Sequence, residues 1–396
     1  MIFNSTLPFI SEFVENLNQS MKEINPKYKL SKSQCIWLNF CLMGILLSNQ
    51  ICWTRFEQIG LGGYKLSALS WMFRHSKILW PILLHASITL VLKRYGINTG
   101  ELVGDDSDRQ RAKITKRIFA AYKVFDKKTG GYFNGQTIVL LYLVTAKVSL
   151  PVGFRFYQPD PVVVEWKKYD DKQKKQGIKK SERPSKPEAN PAYPNKLGLM
   201  IELLQEFKFY HPQILVKAIL ADALYGNIVF MKQATKVFNN VQIISQLSKV
   251  QKVLFRNREM SLVEYFTRYP GIEIRLPIRG GKEVMATLGS ARLWVKAHGQ
   301  KRFVVALKYE GEKDYRYLVA SDMSWRAVDI ATAYTLRWLV EVFFEDWKLY
   351  EGWGQFAPQF DEEGSSYGLT RGLVQSREIK KKTWYYKENN TNPMNL

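Results

Sequence analysis

The chain has 396 residues, enough for two or three domains, and its hydrophobic content of 46% is that of an ordinary globular protein. Its net charge of +22 is unusual and indicates a polyanionic partner, most simply nucleic acid. An anionic membrane surface is the rival, but the longest apolar run, Cys35 to Leu47, contains Asn39 and is too short to span a bilayer. The sequence also predicts no secretory signal.

The three cysteines, Cys35, Cys41 and Cys52, are odd in number and lie in apolar stretches. This pattern predicts reduced core residues in a cytosolic protein. The four histidines are scattered and not paired with cysteines, which argues against a structural zinc site.

Residues 1–97 are predicted to be all-helical. Leu30 to Leu47 and Ser67 to Tyr95 carry helix-length apolar patterns, separated by a stretch rich in glycine. The second pattern is also basic, so a DNA-binding or accessory domain is one interpretation. An ordinary helical core is the other.

The pattern changes near residue 100, where a short strand is predicted to end in acids. Asp105, Asp106, Ser107 and Asp108 are followed by a basic stretch from Arg109 to Arg117. The acids either carry chemistry at the end of a strand or form a solvated turn, which Asp and Ser favour.

Two further strands are predicted over Gln136 to Lys147 and Val148 to Tyr157, which are rich in β-branched and aromatic residues. Pro159 to Lys196 is dense in Lys, Pro and Glu, which predicts a surface excursion or a loosely ordered linker. Its lysines either follow a phosphate backbone or belong to a solvated loop. A helix is predicted over Leu197 to Phe207.

A second candidate acid follows an apolar run that begins at Ile214 and is typical of a buried central strand. Asp222 stands where this strand would end, and Tyr225 follows. Asp222 either carries chemistry there or caps the next helix. A helix over Ile228 to Val237 and a strand over Val241 to Leu247 are predicted next.

Residues 251–324 alternate charged residues with Val, Phe and Tyr, which predicts half-exposed strands. Several cations make this region plausible as a DNA-contacting surface. The predicted strands are Ile272 to Pro277, Lys282 to Leu288, Ala291 to Lys296, Arg302 to Tyr309 and Tyr315 to Ser321.

A long helix is predicted between Trp325 and Glu351, where Gly and Pro are absent. At about 100° per residue, and with Arg337 at zero, Glu341 falls at about 40°, Lys348 at about 20° and Tyr334 at about 60°. Four polar side chains therefore share one narrow stripe. For an arbitrary helix this would be a solvated, salt-bridged face of little energetic weight.

The stripe resembles a known signature. The spacing Tyr334-x2-Arg337-x3-Glu341-x6-Lys348 is similar to the Tyr-Arg-Glu-Lys signature of bacterial insertion-sequence DDE transposases. The resemblance implies an α/β fold with an RNase H-like mixed sheet flanked by helices, an N-terminal helical domain and a β-rich insertion. It divides the chain into a helical DNA-binding or accessory domain (1–97), a catalytic domain (98–250 and 325–370), a β-rich insertion (251–324) and a polar tail (371–396).

The resemblance also implies the site. Asp105, Asp222 and Glu341 would be the catalytic acids and metal ligands, since in that family the first Asp lies in an Asp-x-Ser/Thr setting and the second in Asp-x-x-Tyr. Asp106 stays open as an alternative to Asp105. Oxygen ligands of this kind suit Mg²⁺ or Mn²⁺, and two ions are expected.

Three further residues, Tyr334, Arg337 and Lys348, would hold phosphates and terminal bases of the transposon end. The implied function is metal-dependent cleavage at transposon ends and strand transfer into target DNA. A homodimer is expected when two ends are held together, in the cytoplasm and at the nucleoid when DNA is bound. The alternatives are an RNase H-like nuclease and a catalytically inactive DNA-binding remnant. A glycosidase with two carboxylates would not explain the charge of +22.

The sequence after Leu369 departs from the family. An apolar helix is expected there, but the chain continues through a run of three lysines from Lys380 into a polar end. This pattern suggests a truncated or frameshifted copy that lacks the last core helix.

Overall fold

The computed structural model describes residues 6–49, 51–60, 63–111, 118–126 and 129–349. Within these ranges, a group of N-terminal helices precedes a large, mostly antiparallel mixed sheet with helices packed on both faces. The predicted polar tail, residues 371–396, lies outside the described residues.

The N-terminal segment is helical, as predicted. Ser31 and Gln34 form a capping box that starts its second helix. The apolar pattern from Ser67 to Tyr95 covers two helices, because Lys77 has a positive φ and Pro81 favours a new helix start. The helices are α1 (Pro8–Ile24), α2 (Lys32–Ser48), α3 (Trp53–Ile59), α4 (Leu66–His75) and α5 (Trp80–Tyr95).

No single helix among the described residues is both long and apolar enough to cross a membrane. Two pairs, α2 with α3 and α4 with α5, reach the required length and composition only when taken together across bends of 89° and 93°.

Among the described residues, twelve strands form one sheet. They are β1 (Thr99–Gln110), β2 (Tyr122–Phe125), β3 (Tyr132–Val144), β4 (Ser149–Tyr157), β5 (Leu215–Ala221), β6 (Gln242–Leu247), β7 (Lys252–Phe255), β8 (Arg258–Ser261), β9 (Ile272–Pro277), β10 (Glu283–Val295), β11 (Gln300–Tyr309) and β12 (Arg316–Ala320).

The central strand β1 pairs with β3 antiparallel and with β5 parallel, and β5 pairs with β6 parallel. On the far side, β12 pairs antiparallel with β6 and continues through β11 to β10. The strands of residues 251–324 therefore extend the same sheet. The division into domains stays a prediction.

Two predictions of strand boundaries need correction. Strand β1 does not end at the acids but continues to Gln110, since its pairing with β3 extends to Gln110↔Gly135. The two strands predicted within residues 282–296 are one strand, β10, because β11 pairs with it continuously from Ala286 to Val295. The strands β7 and β8 and helix α9 (Leu262–Arg268) were not predicted.

The segment predicted as an excursion or linker contains helix α6 (Pro161–Lys175). Asp160 caps this helix by accepting a hydrogen bond from the Val162 N–H, and Pro161 begins it. Every residue of α6 is at least partly exposed. The low apolar content thus correctly indicated a surface segment, but the local capping signal gave it helical structure.

Two helical layers cover the two faces of the sheet. One face packs against α7 (Lys196–Tyr210) and α8 (Ile228–Val237), and the other against α10 (Ala327–Thr335) and α11 (Trp338–Leu349). Successive residues of a strand point to opposite faces. Val103 lies in the core under α10 and α11, while the Cβ position of Gly104 meets Met200 of α7. The alternation along β1 therefore decides which acid meets which helix.

The long helix predicted over Trp325 to Glu351 is interrupted. Helix α10 ends at Thr335 and α11 begins at Trp338, and the backbone between them makes shorter bonds, from Arg337 N–H to Tyr334 C=O and from Val340 N–H to Arg337 C=O. Such i to i+3 bonds wind the chain more tightly than an α-helix. The angular positions calculated at 100° per residue for one regular helix consequently do not hold across this junction.

Candidate active site

Asp105 and Asp222 come from neighbouring parallel strands. The parallel pairing of β1 with β5 ends at Gly104↔Ala221, so each acid is the next residue of its strand. Neighbouring strands lie about 4.8 Å apart, and residues in register point to the same face. Val103 and Leu220, two residues earlier, both lie in the core under α10 and α11. The side chains of both acids therefore leave the backbone on the face of the sheet that carries α11.

Arg337 connects β1 to α11. Its Nη1 donates to Oδ2 of Asp105 at 3.0 Å, and its Nη2 donates to Oε1 of Glu341. Burial opposes the charge of Arg337, but Tyr334, Asp105 and Glu341 outweigh it and raise the pKa of the guanidinium. Two acids that are far apart in sequence thus converge on one permanent cation.

The carboxyl group of Asp105 is buried. Burial raises its pKa to about 7, and the negative charges of Asp222 and Asp106 act in the same direction. Arg337 and the Asp106 N–H, which donates to Oδ1 at 2.8 Å, partly counteract the effect. An additional cation at this position would favour the ionised carboxylate.

Asp106 lies on the other face of the sheet. Its Oδ2 accepts a hydrogen bond from Nζ of Lys196, the first residue of α7, at 2.6 Å. The pleat of β1 therefore separates the two neighbouring acids. Asp105 faces Glu341, and Asp106 faces α7.

Lys348 also reaches β1. Its Nζ donates to Oγ of Ser107 at 2.6 Å, one pleat repeat beyond Asp105 on the same face. Burial, and next the charge of Arg109, lower the pKa of Lys348. The last cation of the sequence signature therefore stands beside the carboxylates.

Tyr334 is buried beneath this group. Its hydroxyl accepts a hydrogen bond from Nε2 of Gln246 at 2.5 Å, and Arg337 lies over its ring with Cζ 5.8 Å from the centroid. Burial raises the pKa of the phenol to about 12. In this arrangement the ring of Tyr334 packs against the guanidinium of Arg337. A contact between Tyr334 and DNA stays a prediction.

Sequence reasoning missed Gln246. It lies in β6, next to the strand that carries Asp222, and fixes the hydroxyl of Tyr334. The polar residues Gln242, Ser245 and Gln246 within a strand of the sheet were the available signal, because buried polar groups need partners.

The donor set suits a hard divalent cation. Asp105 and Glu341 already share one cationic group, and Asp222 adjoins Asp105. Among the residues that the structure describes, no three His, Cys, Asp or Glu side chains lie close enough together to form a ready-made metal cage. Mg²⁺ is usually held by one or two carboxylates together with substrate phosphates, so an open set of oxygens fits it.

Comparisons with known proteins give a family, and the structural likeness reported next is weak. No curated protein matches the chain. The NurA nuclease from Sulfolobus solfataricus is similar over 74% of this chain and 86% of its own, with 8% identity and a TM-score of 0.27, too low to indicate a shared fold. A family model described as DDE superfamily endonuclease matches residues 63–263, just over half of the chain, and this range includes Asp105 and Asp222. The chain therefore belongs to the DDE superfamily endonuclease family.

Proposed function

We propose that this protein is a DNA transposase of the Tyr-Arg-Glu-Lys group, which cleaves DNA at transposon ends and joins them to target DNA. The observation that carries the proposal is the shared guanidinium of Arg337, which holds Asp105 of β1 and Glu341 of α11 at one point of the sheet. These signature residues thus lie beside Asp105 within β1, next to the end of β5 that Asp222 follows.

The proposed catalytic domain, residues 98–250 and 325–370, is RNase H-like. In support, β1 has an antiparallel neighbour on one side and the parallel strands β5 and β6 on the other. Helices pack on both faces of this part of the sheet. Residues 251–324 would be the β-rich insertion, and residues 1–97 the accessory or DNA-binding domain.

We assign Asp105, Asp222 and Glu341 as ligands for Mg²⁺ or Mn²⁺. A bound pair of such ions would activate a water or a 3′-hydroxyl as the nucleophile and would stabilise the leaving oxygen. Arg337 offers a planar fork for phosphate oxygens. Tyr334, with Gln246, keeps that fork in position.

DNA is the proposed partner, and the net charge of +22 supports it. Lys348 and Arg337 would neutralise phosphates next to the carboxylates. A homodimer would hold two transposon ends. We expect this protein in the cytoplasm and, when DNA is bound, at the nucleoid.

The test is a strand-transfer assay with DNA that carries the ends of the element from which the gene derives. The wild-type protein should release the ends in Mg²⁺ and join them to a plasmid, whereas Glu341→Gln should bind the ends but neither cleave nor join them. Equal product from the wild-type protein and Glu341→Gln would disprove the assignment.

A nuclease without strand transfer is the second candidate, and the endonuclease description of the matched family favours it. The same assay separates the two functions. Metal-dependent cleavage that depends on Glu341 but gives no joined product would establish the nuclease.

A further inference from the structure

A row of aromatic side chains lies on the same face of the sheet as the carboxylates. Asp105 pairs with Leu140 of β3, and Leu140 pairs with Phe154 of β4. The next residues in register on that face are Ser107, Ile138 and Phe156. Both Leu140 and Ile138 belong to the core under α10 and α11, so their partners on β1 and β4 point to that side.

The distance from the carboxylates is short. With strands about 4.8 Å apart, the backbones of β1 and β4 are separated by roughly 10 Å. Bases stack at about 3.4 Å per step along one strand. The aromatic row is therefore no more than about three nucleotides from a phosphate bound at Asp105.

Two of these three aromatic side chains are exposed, and Phe156 is partly buried. Phe154 is 43% exposed and Phe119 is 73% exposed. Phe156 lies between them, with ring centroids 6.0 Å from Phe154 and 5.9 Å from Phe119, both edge-to-face. Contiguous exposed aromatic surface is uncommon without a partner. Among the described strands β4 pairs with β3 only, so the row lies at an edge of the sheet.

The charged residues on this face indicate which kind of partner the aromatic row binds. Arg337 and Lys348 of the α10–α11 layer contact Asp105 and Ser107 of β1 on this face, and Arg109 is close enough to Lys348 to lower its pKa. Arg155, between the two phenylalanines, points to the opposite face and pairs with Glu206 of α7. The exposed surface consequently combines aromatic rings with nearby cations. This is the combination that binds single-stranded nucleic acid.

We propose that Phe119, Phe154 and Phe156 form a stacking platform for unpaired DNA bases beside the scissile phosphate. The bases of an intact duplex stack on one another, so only frayed, flipped or overhanging bases have a free face for these rings. The platform would favour DNA ends with a few unpaired nucleotides over blunt ends. Its place next to the cleavage site rests on the proposed function of the carboxylates.

The experiment measures binding of fluorescent duplexes without Mg²⁺, so that no cleavage occurs. One duplex is blunt, and two others carry a few unpaired thymidines at the 3′ or the 5′ end. We expect tighter binding to one of the overhangs, and a loss of about tenfold for that duplex in Phe154→Ala, as when one base loses its aromatic partner. Binding of the blunt duplex should change little.

Two variants and one control separate stacking from other causes. Phe154→Trp should retain the preference for the overhang, and Phe154→Leu, which stays apolar, should lose it. Phe209→Ala removes a ring that is 75% exposed on α7, across the sheet, and should bind every duplex like the wild-type protein. Full binding of the overhang by Phe154→Leu would overturn the stacking role.

Failure of the platform and failure of the proposed function give different results. If the wild-type protein cleaves DNA but Phe154→Ala keeps the full preference for overhangs, the platform is wrong. If overhang binding depends on Phe154 but Glu341→Gln cleaves like the wild-type protein, the platform stands and the carboxylate assignment is wrong.

Discussion

Arg337 donates to Asp105 over 3.0 Å while its second nitrogen donates to Glu341, so one guanidinium joins the central strand to α11. Both acids carry like charge when ionised, and Asp222 adds a third carboxylate close by. The cation therefore keeps mutually repelling groups together. It occupies a position where a divalent ion would also be stabilised.

Replacing Arg337 should weaken the fold in a way that metal repairs. Arg337→Gln leaves Asp105 buried without its charge partner, so we expect a loss of about 2–3 kcal/mol in the free energy of unfolding at neutral pH, less than for a fully buried pair because Glu341 is partly exposed. Added Mg²⁺ should stabilise this variant more than the wild-type protein. Urea denaturation with and without Mg²⁺ measures both effects.

Arg326→Gln is the matched control for that experiment. Arg326 pairs with Asp329 at the surface, where its side chain is 81% exposed. This substitution should cost less than about 0.5 kcal/mol and show no dependence on metal. Equal losses in the two variants would contradict a special role for the shared guanidinium.

Asp105 should make the stability of the metal-free protein fall as pH rises from about 4 to 7. Its pKa in the folded protein is about 7, above the ordinary value of 3.8, so the folded state binds more protons than the unfolded state in this window. The stabilisation is complete below the ordinary pKa and is lost as pH rises through the folded one. Asp105→Asn should therefore gain thermal stability relative to the wild-type protein as pH increases from 4.5 to 8. A difference in melting temperature that stays constant across this range would refute the buried carboxyl.

The two neighbouring acids of β1 should behave differently in catalysis. Asp105→Asn should reduce metal-dependent DNA cleavage by at least about 100-fold, since several kcal/mol of charge stabilisation depend on held metal. Asp106→Asn should keep most of the activity because Asp106 pairs with Lys196 on the other face. Initial cleavage rates in Mg²⁺ and Mn²⁺ test this pair. Comparable activity of Asp105→Asn and the wild-type protein would remove Asp105 from the site.

Lys348 should contribute one phosphate contact. Lys348→Ala should weaken DNA binding irrespective of sequence and lower the slope of log affinity against log salt by about one. Lys196→Ala is the control, because Lys196 lies across the sheet beside Asp106. Titrations at several salt concentrations measure the slope. An unchanged slope in Lys348→Ala would show that the lysine only supports Ser107.

The sequence by itself determined the local features of the site. The spacing of the signature residues, the apolar strand before Asp222 and the acids after residue 100 were evident because helix and strand periodicity and capping are properties of neighbouring residues. The helix over Ile228–Val237 and the strand over Ile272–Pro277 were predicted with the bounds that the structure gives.

Only the tertiary structure decided how these features meet. The pleat and register of β1 against β3 and β5 direct Asp105 towards α11 and Asp106 towards α7, which no spacing within β1 specifies. The junction at Arg337 winds tightly where that residue joins Asp105, so a regular helix was the wrong geometry. The row from Asp105 to Phe154 exists because strands distant in sequence pair side by side. Non-local pairing, unlike periodicity, cannot be derived from adjacent residues.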